Sequence, residues 1–295
     1  MSLAGQVALV TGASRGLGKA IAVELGKKGA TVYVTGRHPK NKGQSATGLP
    51  TLQSTANEVE AAGGKAVVKY VDHSKESEVA QLFEEIEEDE NGRLDILVNN
   101  AYSAVQSIAA GSAKKFYELP ASSWRDVNCV GLENHYWCSV HAARLMAKRN
   151  RGLIVTLSSQ GGVRHLFSVP YGVGKAACDR LAADMAAELK DRQVASVALW
   201  PGVVKTELFQ EFAKDETSSL GPLVKAFGET PSFAGRAIVA LAGDADVLKK
   251  SGRILLVHDL ANEYGFTDLD GTKPSPPRFE DQQKYVQVIN QFRQI

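Results

Sequence analysis

Short apolar runs alternate with helically spaced segments along most of the chain. The apolar, β-branched runs lie at residues 6–10, 31–35, 65–71, 94–99, 152–157, 194–201 and 253–257. Between them the spacing predicts helices over 19–28, 52–62, 76–90, 122–149, 171–192 and 232–243. Strands that are apolar throughout, alternating with helices, belong to a parallel sheet covered on both faces. The expected architecture is a single α/β domain, a doubly wound parallel sheet with helices on both faces, over residues 1–258. A polar extension over 259–295, ending in an amphipathic helix, is expected to pack on the domain or on a partner subunit. Residues 38–50, rich in Lys, Gly, Ser and Pro, read as a mobile loop. Residues 101–120 make a long strand-to-helix connection, which suits a segment that covers something.

Ligands of open parallel sheets bind beyond the strand C-termini. Asp72, Asn99, Ser159 and Pro201-Gly202 all fall at such ends. Between the first strand and the first helix stands Thr11-Gly12-Ala13-Ser14-Arg15-Gly16-Leu17-Gly18. Glycines in that setting let the backbone approach a pyrophosphate, and the helix N-terminus offers free amides. The spacing Gly-x-x-x-Gly-x-Gly departs from the G-x-G-x-x-G fingerprint, yet its strand–turn–helix context predicts a Rossmann-like nucleotide site. An NAD site would carry an acid about twenty residues further on. Thr35-Gly36-Arg37-His38 stands there instead. Arg37 and Arg15 suit a 2′-phosphate, so NADP(H) is expected over NAD(H).

Charge and cysteines narrow the partners. Lys plus Arg is 34 against 33 for Asp plus Glu, a net of +1, so no attraction to nucleic acid is expected. No run approaches the ~18 apolar residues of a transmembrane segment. With the first strand read from residue 6, no cleavable signal peptide is expected. Cys129, Cys138 and Cys178 are scattered without ligand spacing, so no metal site is expected and the compartment reads as reducing, by default the cytoplasm.

Tyr171 and Lys175 sit four apart on a predicted helix and share a face, so the ammonium can stabilise the phenolate. Ser158 and Ser159 end the apolar run upstream. Adjacent strand residues point to opposite faces, so only one of these hydroxyls can join the tyrosine. Together with the glycine loop, Asn99-Asn100-Ala101, Asn128 and Pro201-Gly202-Val203-Val204-Lys205-Thr206, these residues resemble the short-chain dehydrogenase/reductase family over residues 5–257. One branch of it shares Tyr33-Val34-Thr35-Gly36-Arg37, Asn99-Asn100-Ala101-Tyr102 and Leu199-Trp200-Pro201-Gly202. Most of the family carries Gly at the position of Tyr102.

The resemblance implies an oxidoreductase that interconverts a carbonyl and an alcohol. Tyr171 would be the general acid and base, and Lys175 would lower its pKa and hold the nicotinamide ribose. Ser159, with Ser158 as competitor, would polarise the carbonyl. Asn128 would hold a water in a relay to Lys175. On the cofactor, Asp72 would meet the adenine edge, and Asn99 and Ala101 would line the adenosine side. Pro201, Gly202, Val204 and Thr206 would lie along the nicotinamide half, beside the loop residues Gly12, Ser14, Arg15, Gly16, Leu17 and Gly18. Tyr102, Phe116, Leu166, Phe167, Trp200, Leu208, Phe209 and Phe212 suggest an apolar pocket, for a hydrophobic or steroid-like ketone or aldehyde. Segment 208–227 reads as a lid. A homodimer or homotetramer through the long helices is implied. Two alternatives stay open, a cofactor-sensing protein with vestigial catalysis and an epimerase or dehydratase on the same fold.

Overall fold

The computed structural model describes residues 2–39, 49–105, 114–214, 220–274 and 280–292. Its strands are β1 (Val7–Val10), β2 (Thr31–Gly36), β3 (Lys65–Tyr70), β4 (Ile96–Asn99) and β5 (Gly152–Leu157). They continue with β6 (Val194–Trp200), β7 (Val203–Val204), β8 (Gly228–Glu229) and β9 (Ile254–Leu256). β7 and β8 pair with each other, and the rest form one parallel sheet ordered β3-β2-β1-β4-β5-β6-β9. Chain order reverses between β1 and β4. That is the crevice where doubly wound sheets bind ligands.

The helices are α1 (Gly16–Gly26), α2 (Leu52–Ala61), α3 (Glu76–Asp89), α4 (Ser123–Asn128), α5 (Asn134–Arg149) and α6 (Val169–Leu189). After them come α7 (Glu207–Ala213), α8 (Leu220–Phe227), α9 (Pro231–Ala242), α10 (Val257–Tyr264) and α11 (Glu280–Phe292). Period-two alternation sends Ala8, Val10, Val32, Val34, Ile96 and Val98 to one face, against α1, α2, α9 and α10. The intervening Val7, Leu9, Tyr33 and Leu97 face α3 and α5 across the sheet. Each fully buried aliphatic side chain contributes roughly 1.5–3 kcal/mol, so these two layers hold the strand ends that carry the site.

Three expectations shift. The helix expected over 122–149 is interrupted by a π turn at Cys129–Glu133, which separates α4 from α5. No proline marks the break, so the sequence pattern could not reveal it. The division drawn at residue 258 cuts through α10, whose Val257, Leu260 and Ala261 are buried in the same core as β1. Val286 of α11 packs with Trp200 and Ile254. Elsewhere the ends of elements move by one to three residues, as at α1, which starts at Gly16 within the glycine loop. Parts of the expected insertions and lid, 40–48, 106–113 and 215–219, lie outside the described residues. Among the described residues no helix is long and apolar enough to cross a membrane, and no three or more His, Cys, Asp or Glu side chains are grouped so as to hold a metal ion.

Candidate active site

The glycine loop is built by close approach. Gly12 has φ +65, and a Cβ there would come 2.7 Å from Ala101 Cα. A Cβ on Gly18 would meet the Gly12 carbonyl oxygen at 2.4 Å and Asn100 Nδ2 at 2.5 Å. The segment after β4 braces the loop. Asn100 Nδ2 donates to the carbonyls of Thr11 (2.7 Å) and Gly12 (3.1 Å). Thr11 Oγ1 accepts from the amides of Asn100 (2.9 Å) and Ala101 (3.0 Å). From α2, Thr55 Oγ1 donates to the Ala13 carbonyl at 2.9 Å and reaches that of Ser14 at 3.4 Å. Arg15 holds the N-cap position of α1 in extended backbone, with no side-chain cap bond. Leu17 packs its partly buried side chain against the core. The backbone cradle fits a pyrophosphate. One group is already anion-like there: Glu207 Oε2 accepts from the Gly16 amide at 3.0 Å.

Arg37 follows β2 and Asp72 follows β3, on the same side of the crevice. Burial works to raise the Asp72 carboxyl, but hydrogen bonds from Ser74 and the charges of Lys75 and Arg37 outweigh it and hold it below its ordinary range. Asn99 departs from expectation. Its side chain is fully buried and donates to Ser139 Oγ at 2.8 Å, so it faces α5 rather than a ligand. A strand end guarantees the rim for the backbone, and the pleat decides where the side chain goes.

Tyr171, Lys175 and Ser159 converge beyond β5. Ser168 caps α6, its Oγ accepting from the Tyr171 amide at 3.4 Å, and Pro170 opens the first turn. This cap puts Tyr171 one turn into the helix, where its Oη lies 2.8 Å from Ser159 Oγ. Ser159 Oγ also accepts from the Gly161 amide at 3.1 Å. Ser158 is buried and donates instead to the Lys175 carbonyl at 3.0 Å. Of the two hydroxyls, Ser159 is the one beside the phenol. Lys175 Nζ donates to the Leu157 carbonyl, the last of β5, at 2.9 Å. Asn128 is buried where α4 meets the π turn, and its Nδ2 donates to the Pro170 carbonyl at 3.2 Å. It thereby ties the break in the long helix to the start of α6, and π bulges recur at functional sites.

Beyond β6, the Gly202 amide donates to Glu229 Oε1 at 3.1 Å. Val204 lies in β7, and Thr206 caps α7 by accepting from the Phe209 amide at 3.3 Å. Pro201 joins β6 to that stretch. Of the expected apolar lining, Phe167 stands edge-on to Tyr171 at 5.1 Å between ring centroids, and Tyr102 does so at 6.4 Å. Trp200 does not take part. It is buried, with Nε1 donating to Asp179 Oδ1 at 2.8 Å. Phe116 is exposed, and the side chain of Phe212 lies outside the described residues.

Sequence reasoning missed several groups here. His135 is buried on α5 with Nε2 donating to the Ala101 carbonyl at 3.1 Å, and burial, with the charge of Lys175, pushes it down to about 3. It is therefore a neutral brace for the loop after β4. Glu207 and Glu229, which accept from the Gly16 and Gly202 amides, are two more. Neither has a local signal, because each partner lies far away along the chain.

The model of the short chain dehydrogenase family matches residues 6–217. The mouse protein "Dehydrogenase/reductase SDR family member 1", from the branch suggested by the shared stretches, is 51% identical over 273 residues, 90% of this chain and 84% of that one. The "NADPH-dependent aldehyde reductase 2, chloroplastic" of Arabidopsis thaliana is 32% identical over 71% of this chain and 76% of that one. Among solved structures, a Beutenbergia cavernae protein assigned as an NAD(P)-dependent gluconate 5-dehydrogenase, holding NADP at low occupancy, superposes with a TM-score of 0.73. It is 28% identical, covering 87% of this chain and 96% of that one.

Proposed function

Because the chain belongs to the short chain dehydrogenase family and is an NAD(P)-linked oxidoreductase, we propose that it interconverts a hydrophobic ketone or aldehyde and its alcohol, with NADP(H) as cofactor and Tyr171 as general acid and base. The observation that carries this reading is the Ser159 Oγ–Tyr171 Oη contact at 2.8 Å. A carbonyl oxygen between the two hydroxyls would receive a hydrogen bond from each, Ser159 polarising it and Tyr171 delivering its proton. In the reverse direction Tyr171 would take the alcohol proton. Lys175, one turn further along α6, stabilises the phenolate left behind.

When bound, the nicotinamide supplies the hydride, and the protein holds and orients it. Gly12, Ser14, Arg15, Gly16, Leu17 and Gly18 would hold the pyrophosphate, largely through backbone. Arg15 and Arg37 would face the 2′-phosphate, with Asp72 and Ala101 on the adenosine side. Lys175, Pro201, Gly202, Val204 and Thr206 would hold the nicotinamide half. The rings of Phe167 and Tyr102 beside Tyr171 support an apolar substrate. Trp124, Tyr136, Val169 and Val173 are exposed on α4, α5 and α6, and this apolar surface supports pairing of two copies there.

The test is direct. Purified protein with NADPH and a panel of hydrophobic ketones and aldehydes should oxidise NADPH, and Tyr171→Phe should lower kcat/KM by at least about a hundredfold. Turnover that survives Tyr171→Phe would refute the assignment. Arg37→Asp should weaken NADPH relative to NADH, and an unchanged ratio would remove Arg37 from the phosphate site.

A further inference from the structure

Tyr102 stands where most of the family carries Gly, and its ring reaches the catalytic pair. The Lys175 ammonium lies 5.2 Å from its ring centroid, within cation–π range. Its ring is edge-on to that of Tyr171, with planes at 87°. The π turn holds it from behind: a Cβ on Gly131 would come 2.6 Å from Tyr102 Cε2, so the ring fills the space beside that glycine. Its Oη is buried and has no hydrogen-bond partner among the described residues. The contacts that Tyr102 makes here are those of its ring, not of its hydroxyl. Burial, followed by the nearness of Tyr171 and Cys178, pushes that hydroxyl far up, so it stays neutral and exchanges no proton itself.

We propose that Tyr102 is a positioning residue, whose ring face holds the Lys175 ammonium in place one helical turn from Tyr171 and so supports proton exchange at Tyr171. Among the described residues Lys175 has two holds, the Leu157 carbonyl at one side and this ring at another, while the titratable groups that feel its charge, His135 and Cys178, are buried and neutral. Loss of the ring leaves a flexible four-carbon stem tethered by one neutral acceptor. The ammonium then stabilises the phenolate less. The face of the ring matters and the hydroxyl does not.

The proposal rests on the role given to Tyr171, and one set of measurements separates the two. The pH dependence of kcat/KM for oxidation by NADP⁺ is recorded with the alcohol of whichever carbonyl the panel reduces best. Wild type, Tyr102→Phe, Tyr102→Leu and Tyr171→Phe are compared. Tyr102→Phe keeps the face and should reproduce the wild-type profile. Tyr102→Leu should move the acid limb about one pH unit higher, a loss of about tenfold on that limb, while KM for NADP⁺ stays within about twofold. Thermal unfolding of each variant checks folding. Should the Leu variant fail to fold, Tyr102→Met fills the same space without a π face and carries the same expectation. A Leu or Met variant with the wild-type profile, or a Phe variant shifted as far as they are, would overturn the proposal. If Tyr171→Phe retains activity, or wild type turns over nothing, it is the reading of Tyr171 that fails and this inference falls with it.

Discussion

The Glu207 carboxylate accepts a hydrogen bond from the Gly16 amide at 3.0 Å, joining the first residue of α7 to the first residue of α1. The amide sits at a helix N-terminus, where unsatisfied N–H groups and the macrodipole favour an anion. It also belongs to the loop proposed for the cofactor pyrophosphate. A dinucleotide must therefore move Glu207 aside or accept a negative charge beside its phosphates. Glu207→Gln should bind NADPH about three- to tenfold more tightly, by fluorescence titration, with the gain largest at low salt. Weaker binding would mean that the carboxylate supports the cofactor instead of competing with it.

Gly18 tests the cradle separately from charge. A Cβ there meets two polar groups of the loop and its brace, the Gly12 carbonyl and Asn100 Nδ2. Neither can yield without breaking the hydrogen bond between them, which is 3.1 Å long. Gly18→Ala should lower NADPH affinity by at least about tenfold and stability by about 1–3 kcal/mol. Urea unfolding read beside the fluorescence titration separates the two effects, and an Ala variant that binds normally would show that the loop is roomier than its contacts imply.

The readable and unreadable parts divide by range. Apolar strands such as β5 and the glycine loop carry local patterns, so the sheet and the strand–turn–helix around that loop were legible without coordinates. That Tyr171 and Lys175 lie one turn apart on a single helix was legible as well, because four-residue spacing on a helix is itself a geometric statement. The choice between Ser158 and Ser159 was not, since alternation says only that they diverge. Asn99 shows the same limit from the other side, placed at the rim correctly but with its side chain turned inward onto Ser139. The Tyr102–Lys175 stacking and the Glu207–Gly16 bond join residues 73 and 191 positions apart. No periodicity encodes such pairs.

Glu229 should make stability fall towards alkaline pH. It is buried with Asp268 nearby, and burial, with that neighbouring charge, pushes its carboxyl up to about 8 despite the Gly202 amide. The unfolded chain returns the group to its ordinary value of 4.5. Between those values the folded state keeps a proton that the unfolded state has released. The contribution is thus complete below about pH 4.5 and is lost as pH rises through about 8. Glu229→Gln retains an acceptor for the Gly202 amide and cannot ionise. Between pH 5 and pH 9, wild type should lose on the order of 3 kcal/mol more than this variant, measured by urea unfolding. Parallel losses in the two proteins would show that Glu229 ionises freely in the fold.

The outer edge of the sheet is closed by a side chain instead of a strand. β9 is the last strand beside β6, and Asn290 of α11 reaches across to it. Its Oδ1 accepts from the Ile254 amide at 2.9 Å while its Nδ2 donates to the Ile254 carbonyl at 2.9 Å. The carboxamide thus reproduces, for one residue, the donor–acceptor pair of a neighbouring strand. An open edge of this kind invites pairing with another chain. Val286, one turn earlier on α11, is buried against Trp200 and Ile254 and holds the helix over that edge. Asn290→Ala should leave both Ile254 groups without their partner, costing about 1–3 kcal/mol, and hydrogen exchange at the Ile254 amide should speed up by at least about tenfold. Val286→Ala should bring the same faster exchange, because it loosens the helix that carries Asn290. If exchange at Ile254 is already fast in wild type, α11 does not rest on the sheet in solution and the cap has no part in closing its edge.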